Sequence, residues 1–66
     1  MARILPKVGQ AVTWLRSAHS GHVYSLTAEV LRIGARKVRV VAIDEEDKEI
    51  ERWVDPDNLI WEGKYT

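Results

Sequence analysis

The sequence has no cysteine among its 66 residues, which excludes disulfide bonds and thiolate metal sites. No apolar run approaches the ~20 residues that a membrane-spanning helix needs. The residues before Pro6 lack the apolar stretch of a secretory signal peptide. We therefore expect a cytoplasmic protein whose fold depends on burial of side chains.

What the sequence does contain is a high apolar content, with 45% hydrophobic residues and three tryptophans. A chain of this length accommodates one domain, predicted over residues 1–66 with its core in residues 8–61. Domains this small bury only ~60% of the surface that the unfolded chain exposes. Core burial must supply the stability, and self-association is one way to add to it.

The formal net charge is zero, but the charges are segregated along the chain. Residues 1–43 carry seven basic side chains and one acidic one, a net charge of +6, whereas residues 44–66 carry a net charge of −6. Such asymmetry is typical of a basic binding face. The interpretation that we favour is cross-strand neutralisation, because neighbouring strands of a sheet often pair opposite charges.

Alternating β-branched and apolar residues predict strands, and no long window repeats apolar residues with helical spacing. The predicted strands cover residues 10–16, 25–33, 37–43, 48–54 and 59–61. Residues 44–47 (DEED) predict an exposed acidic turn. Asp55 before Pro56 predicts an N-cap and a single 3₁₀ turn between the last two strands.

The register of the second and third strands decides which residues enter the core. One register pairs Ile33 with Lys37. It places Val30 opposite Val40, with both side chains inside. A register that is shifted by one residue turns Leu31 and Ile33 inward instead. A third possibility is that the second strand is long and bent, so that one of its faces is buried in one part and the opposite face in the other.

The next pair of strands has a clearer register. Pairing Val38 with Val54 keeps both side chains inside. The same register places Arg39 beside Trp53 on the outer surface, where a guanidinium over an indole is worth ~0.5–1 kcal/mol.

This order of one strand, a loop, three hairpin-linked strands, a 3₁₀ turn and a short strand resembles an SH3-like barrel. Residues 8–12 (VGQAV) look like the entry to the first strand of Tudor, agenet and KOW-type barrels, and residues 28–31 (AEVL) look like their second strand. Residues 53–59 (WVDPDNL) are similar to their exit through the 3₁₀ turn, and to small bacterial proteins of this type. The resemblance implies a five-stranded SH3-like barrel that binds methylated or proline-rich peptides, nucleic acids or other copies.

Aromatic side chains are the first candidate site, because Tudor-like domains hold cations in aromatic cages. Trp14 shares its face with Val12 and is predicted to lie in the core. Tyr24, Trp53 and Trp61 are predicted nearer the surface. The first hypothesis is therefore a non-enzymatic module that recognises a protein or peptide through an aromatic groove of these three residues.

Basic side chains are the second candidate site. They cluster around the second and third strands as Arg16, Arg32, Arg36, Lys37 and Arg39. Such a set can follow a phosphate backbone while an aromatic ring stacks on bases. A pI of 6.7 argues against this alternative, since nucleic-acid-binding domains usually have a pI above ~9.

An apolar outer patch is the third candidate. In the first register four side chains face outward together: Leu31, Ile33, Val41 and Ile43. A patch of this kind on a small protein predicts a partner or a homo-oligomer contact.

The sequence predicts no cofactor, no metal site and no catalytic residue. His19 and His22 lie three residues apart in a polar loop, but a metal site needs at least a third ligand. The loop serines lack the motif of a nucleophile elbow, and no glycine-rich phosphate loop is present.

Overall fold

The computed structural model describes residues 4–17 and 20–64, and its strands form one antiparallel sheet. The strands are β1 (Ala11–Ser17), β2 (Val23–Ile33), β3 (Val38–Ile43), β4 (Glu49–Val54) and β5 (Leu59–Ile60). A 3₁₀ turn (Pro56–Asn58) joins β4 to β5. The prediction of an all-β chain with five strands and one 3₁₀ turn is confirmed.

The sheet is open, with the strand order β4-β3-β2-β1-β5. Within the described residues β4 and β5 lie at its two ends and do not pair with each other. The closed barrel that the sequence predicts is therefore not confirmed.

The core lies on one face of the sheet, because buried residues alternate with exposed ones along the strands. The side chains that are buried in it are Val12, Trp14, Leu26, Ala28, Val30, Val38, Val40, Ala42, Val54, Leu59 and Trp61. Leu59 is fully buried although β5 has only two residues. The short last strand is thus held mainly by its core side chain.

The pairing of β2 with β3 changes register in the middle of β2. Val30 lies opposite Val40, as predicted from the sequence. The register then shifts between Val30 and Arg32, so that Ile33 lies opposite Val38. The predicted pairing of Ile33 with Lys37 is wrong because one residue, Leu31, is inserted as a β-bulge.

The pairing of β3 with β4 agrees with the prediction. Val38 lies opposite Val54, and both side chains are buried. Arg39 lies opposite Trp53, with its guanidinium carbon 5.7 Å from the centre of the indole ring.

The acidic turn between β3 and β4 is built around Asp44. Its carboxylate accepts hydrogen bonds from the backbone N–H groups of Glu46 and Lys48, each at 2.9 Å. The bond from Lys48 is the main reason that the pKa of Asp44 lies below its usual value of 3.8. Asp47 completes the turn with a φ of 62°, a left-handed conformation that Asp tolerates better than most residues.

The 3₁₀ turn begins as the sequence predicts. Asp55 is its N-cap and accepts a hydrogen bond from the N–H of Asp57 at 2.9 Å. Pro56 takes the first position and is buried. The ammonium group of Lys64 donates hydrogen bonds to the carbonyls of Pro56 and Leu59 and so ties the 3₁₀ turn to the residues that follow β5.

Candidate functional site

An open groove lies at the C-terminal end of β4 and is the candidate binding site. It is lined by residues 14–17, Lys37, residues 52–55 and Asn58, and has a volume of 460 Å³. We call it the edge groove. The end of β1 lies on one side of it and the end of β4 on the other, so the groove occupies the gap that the open sheet leaves.

Both strands bring free backbone groups to the edge groove. Strand β1 pairs with β5 only at Thr13 and Trp14, so within the described chain Leu15 and its successors pair on the β2 side alone. Strand β4 pairs with β3 alone. Unpaired N–H and C=O groups of an edge strand form a template for another extended chain.

The lining of the edge groove wraps around β4. Arg52 and Trp53 both contribute to it, although successive side chains of a strand point to opposite faces. An extended ligand beside β4 would therefore meet a cation on one face and an indole on the other.

Trp53 is exposed at 44% and is held in place by two neighbours. Its ring lies against the backbone of Gly34, where an added Cβ would approach the ring carbon Cζ3 to 3.0 Å. Arg39 lies over the ring and donates two hydrogen bonds, at 2.9 and 3.1 Å, to the carboxylate of Glu51. The indole ring therefore contacts the β2–β3 hairpin backbone and the Arg39 guanidinium while almost half of the residue stays exposed.

Three cationic side chains reach the edge groove from three different elements: Arg16 from β1, Lys37 from the β2–β3 hairpin and Arg52 from β4. The one acidic side chain in the lining is Asp55, which caps the 3₁₀ turn. The lining therefore has an excess of positive charge, although Arg16 is also ion-paired at 3.7 Å with Glu45 outside the lining.

The three predicted aromatic residues do not form one site. Trp53 lines the edge groove. Tyr24 lies on β2 opposite Arg16, half-buried against the core, with the ring of His22 at 4.9 Å. Trp61 is buried, so its predicted place near the surface is wrong. Trp61 continues the alternation that buries Leu59 and exposes Ile60, so strand parity, carried one residue past β5, already placed it inside.

The predicted basic set is also divided. Arg16 and Lys37 line the edge groove, whereas Arg36 is exposed in the hairpin. Arg32 and Arg39 lie opposite each other on β2 and β3. Arg39 is ion-paired with the Glu51 carboxylate of β4. These five residues thus do not share one groove.

Arg52 is the groove residue that the sequence reasoning missed. The register that pairs Val38 with Val54 also places Arg52 opposite Val40, on the core face. A cation at a core-facing position has to reach solvent at an open rim of the fold. A charged residue at a core-facing position was therefore the sequence feature that could have indicated Arg52 as a groove residue.

The predicted apolar outer patch is interrupted by charge. Val41 lies between Glu29 on β2 and Glu51 on β4. Ile43 is exposed at 51% and Ile33 at 38%. They lie at opposite ends of β3, since Ile43 ends that strand and Ile33 pairs with its first residue. A homo-oligomer through this patch stays a prediction.

Metal ligands do not cluster in the described part of the chain, where no group of three or more His, Asp or Glu side chains has a suitable arrangement. His19, one of the two loop histidines, lies outside the described residues. Among residues 4–17 and 20–64 no helix is long and apolar enough to cross a membrane.

Comparisons of the chain with protein-family models, with curated proteins and with solved structures found no match.

Proposed function

We propose that this chain is a small SH3-like domain that binds an extended segment of a partner protein in the edge groove, without catalysing a reaction. The observation that carries the proposal is the convergence of two free strand edges on a groove that presents Trp53. Backbone pairing supplies affinity in such complexes, and side-chain pockets supply specificity.

The SH3-like assignment is supported by the strand order and by the position of the 3₁₀ turn. In the sheet, β5 lies beside β1 and three consecutive strands follow as hairpins. The edge groove lies beside the 3₁₀ turn, since both the N-cap Asp55 and Asn58 line it.

Trp53 is the expected centre of the interface. Tryptophan is enriched among residues whose loss weakens binding most, because its large rigid ring buries much area at low entropic cost. Its fixed position against Gly34 reduces the ordering cost further.

The test is selection of binders from a library of short random peptides displayed on phage. We expect enriched peptides whose affinity falls roughly tenfold or more in Trp53→Ala, a loss of about 1.4 kcal/mol. Ile43→Ala is the matched control, because Ile43 is a large exposed apolar residue outside the groove lining. Enrichment that is equal on the wild type and on Trp53→Ala would overturn the proposal.

A further inference from the structure

Two of the three cations in the edge groove have no ion-pair partner among the described residues. Within the described residues neither Lys37 nor Arg52 takes part in an ion pair, and Arg52 donates only to the backbone carbonyl of Glu51 at 2.8 Å. By contrast Arg39, outside the groove, is paired with a carboxylate at 2.9 Å. Lys37 and Arg52 therefore keep donors available in the groove, as Arg32 and Arg36 do outside it.

Arg16 adds a donor that the fold leaves unsatisfied. Its Nη1 atom is buried and makes no hydrogen bond, and it lies 3.7 Å from the Glu45 carboxylate, beyond hydrogen-bond length. Nη1 is thus ion-paired with Glu45 and shielded from solvent, whereas the Arg16 side chain as a whole is 33% exposed and lines the groove, where a ligand carboxylate can contact it.

We infer that the edge groove selects partner segments in which acidic residues alternate with apolar ones. This inference rests on the proposed function. An extended segment that pairs with β4 points alternate side chains to opposite faces. Its carboxylates then lie on the side of Arg52, and its apolar side chains lie against Trp53.

A protein segment fits the groove better than a nucleic acid does. Free backbone groups on β1 and β4 pair with a polypeptide, and a phosphate backbone has no N–H groups to offer in return. A longer polyanion would also run past the groove toward the acidic turn at residues 44–47 and toward Glu49, which repel phosphates.

The sequences selected from the random-peptide library provide the first test. We expect aspartate and glutamate at alternate positions, with apolar or aromatic residues between them. Binders that depend on Trp53 but are neutral or basic would overturn the acidic class and leave the proposed function intact. A library without binders that depend on Trp53 would overturn the proposed function itself.

Two variants of adjacent hairpin residues provide the second test. Lys37→Gln removes a charge from the groove, and Arg36→Gln removes one from an exposed neighbour outside the lining. We expect the affinity for a selected acidic peptide to fall about five- to tenfold in Lys37→Gln and less than twofold in Arg36→Gln, since contact pairs outweigh screened distant charges.

Arg52→Gln extends this test to the groove cation on β4. It should lower affinity for the acidic peptide and leave affinity for its glutamine-substituted counterpart unchanged. Equal losses for both peptides, or equal effects of Lys37→Gln and Arg36→Gln, would overturn the inference. Tighter binding of a single-stranded oligothymidine than of the acidic peptide would overturn it in favour of nucleic acid.

Discussion

At the scale of single residues, the groove depends on how Trp53 is held. The absence of a side chain at Gly34 lets the indole lie against the backbone. The guanidinium of Arg39 lies over the indole ring. Gly34 has no positive φ, so the close approach of the ring and of Lys37, and not backbone conformation, is what requires glycine there.

Gly34→Ala is therefore expected to disturb both the hairpin and the tryptophan. The added Cβ would lie 2.9 Å from the carbonyl oxygen of Lys37 and 3.0 Å from the ring of Trp53. Overpacking of this kind costs ~1–3 kcal/mol. Urea unfolding should show that loss, and the indole NMR signal of Trp53 should shift.

The double variant Gly34→Ala/Trp53→Ala separates the two contacts. With the ring removed, only the contact with Lys37 remains, so the cost of Gly34→Ala should be smaller in the Trp53→Ala background. An equal cost in both backgrounds would show that the glycine does not position the indole.

Arg39 is expected to contribute a modest amount to stability. Its ion pair with Glu51 is partly exposed, and such pairs are worth ~0–1 kcal/mol. Arg39→Gln should lower the free energy of unfolding by about 0.5–1 kcal/mol and make the fluorescence of Trp53 more sensitive to quenching by iodide. Unchanged stability together with unchanged quenching would contradict the stacked arrangement.

At the scale of elements, the two-residue strand β5 is held by burial more than by hydrogen bonds. Leu59 is fully buried and lies opposite Trp14. Lys64 adds bonds to the carbonyls of Pro56 and Leu59 from the turn that follows. Burial of the Leu59 side chain is thus the main interaction that holds β5 in the sheet.

Leu59→Ala is expected to cost ~2–5 kcal/mol, because it deletes apolar volume at a fully buried site. A domain of this size has a total stability of only ~3–10 kcal/mol. The variant should be largely unfolded by circular dichroism at elevated temperature. The exposed neighbour Ile60 offers the control, since Ile60→Ala should change stability by less than about 1 kcal/mol.

The acidic turn between β3 and β4 is expected to weaken at low pH. The pKa of Asp44 is lowered on folding, mainly by the N–H of Lys48, so its carboxylate contributes stability above the usual value of 3.8. That contribution is lost as the pH falls through the lower folded pKa. In this acidic range the difference in unfolding temperature between the wild type and Asp44→Asn should decrease. A difference that does not depend on pH would contradict the role of the Asp44 carboxylate in the turn.

At the scale of the whole molecule, the segregation of charge along the chain has a structural outcome. Part of it is cross-strand neutralisation, as in the pair of Arg39 with Glu51. The remainder leaves the edge groove positive and the turn at residues 44–47 negative. The two interpretations of the charge pattern therefore apply to different parts of the molecule.

Core composition was predictable because alternation over several residues fixes which face of a strand is buried. The pair Val38–Val54 follows from that alternation, whereas Val30–Val40 was one of two registers that it allowed. The bulge at Leu31 does not, since an inserted residue leaves no mark in a short apolar run.

The edge groove was harder to predict because it depends on how the sheet curves. Arg16 and Arg52 are 36 positions apart in sequence and meet only because the ends of β1 and β4 approach each other. No local pattern encodes that approach. Only the core-facing charge of Arg52 pointed to an opening in the fold.

The most direct test of the edge groove as the binding site is NMR mapping of the contact with a selected peptide. We expect the backbone signals of residues 14–17 and 52–55 and the indole signal of Trp53 to shift together on titration, while the signals of Val41 and Ile43 stay unchanged. Shifts confined to Val41 and Ile43, with Trp53 unaffected, would contradict it.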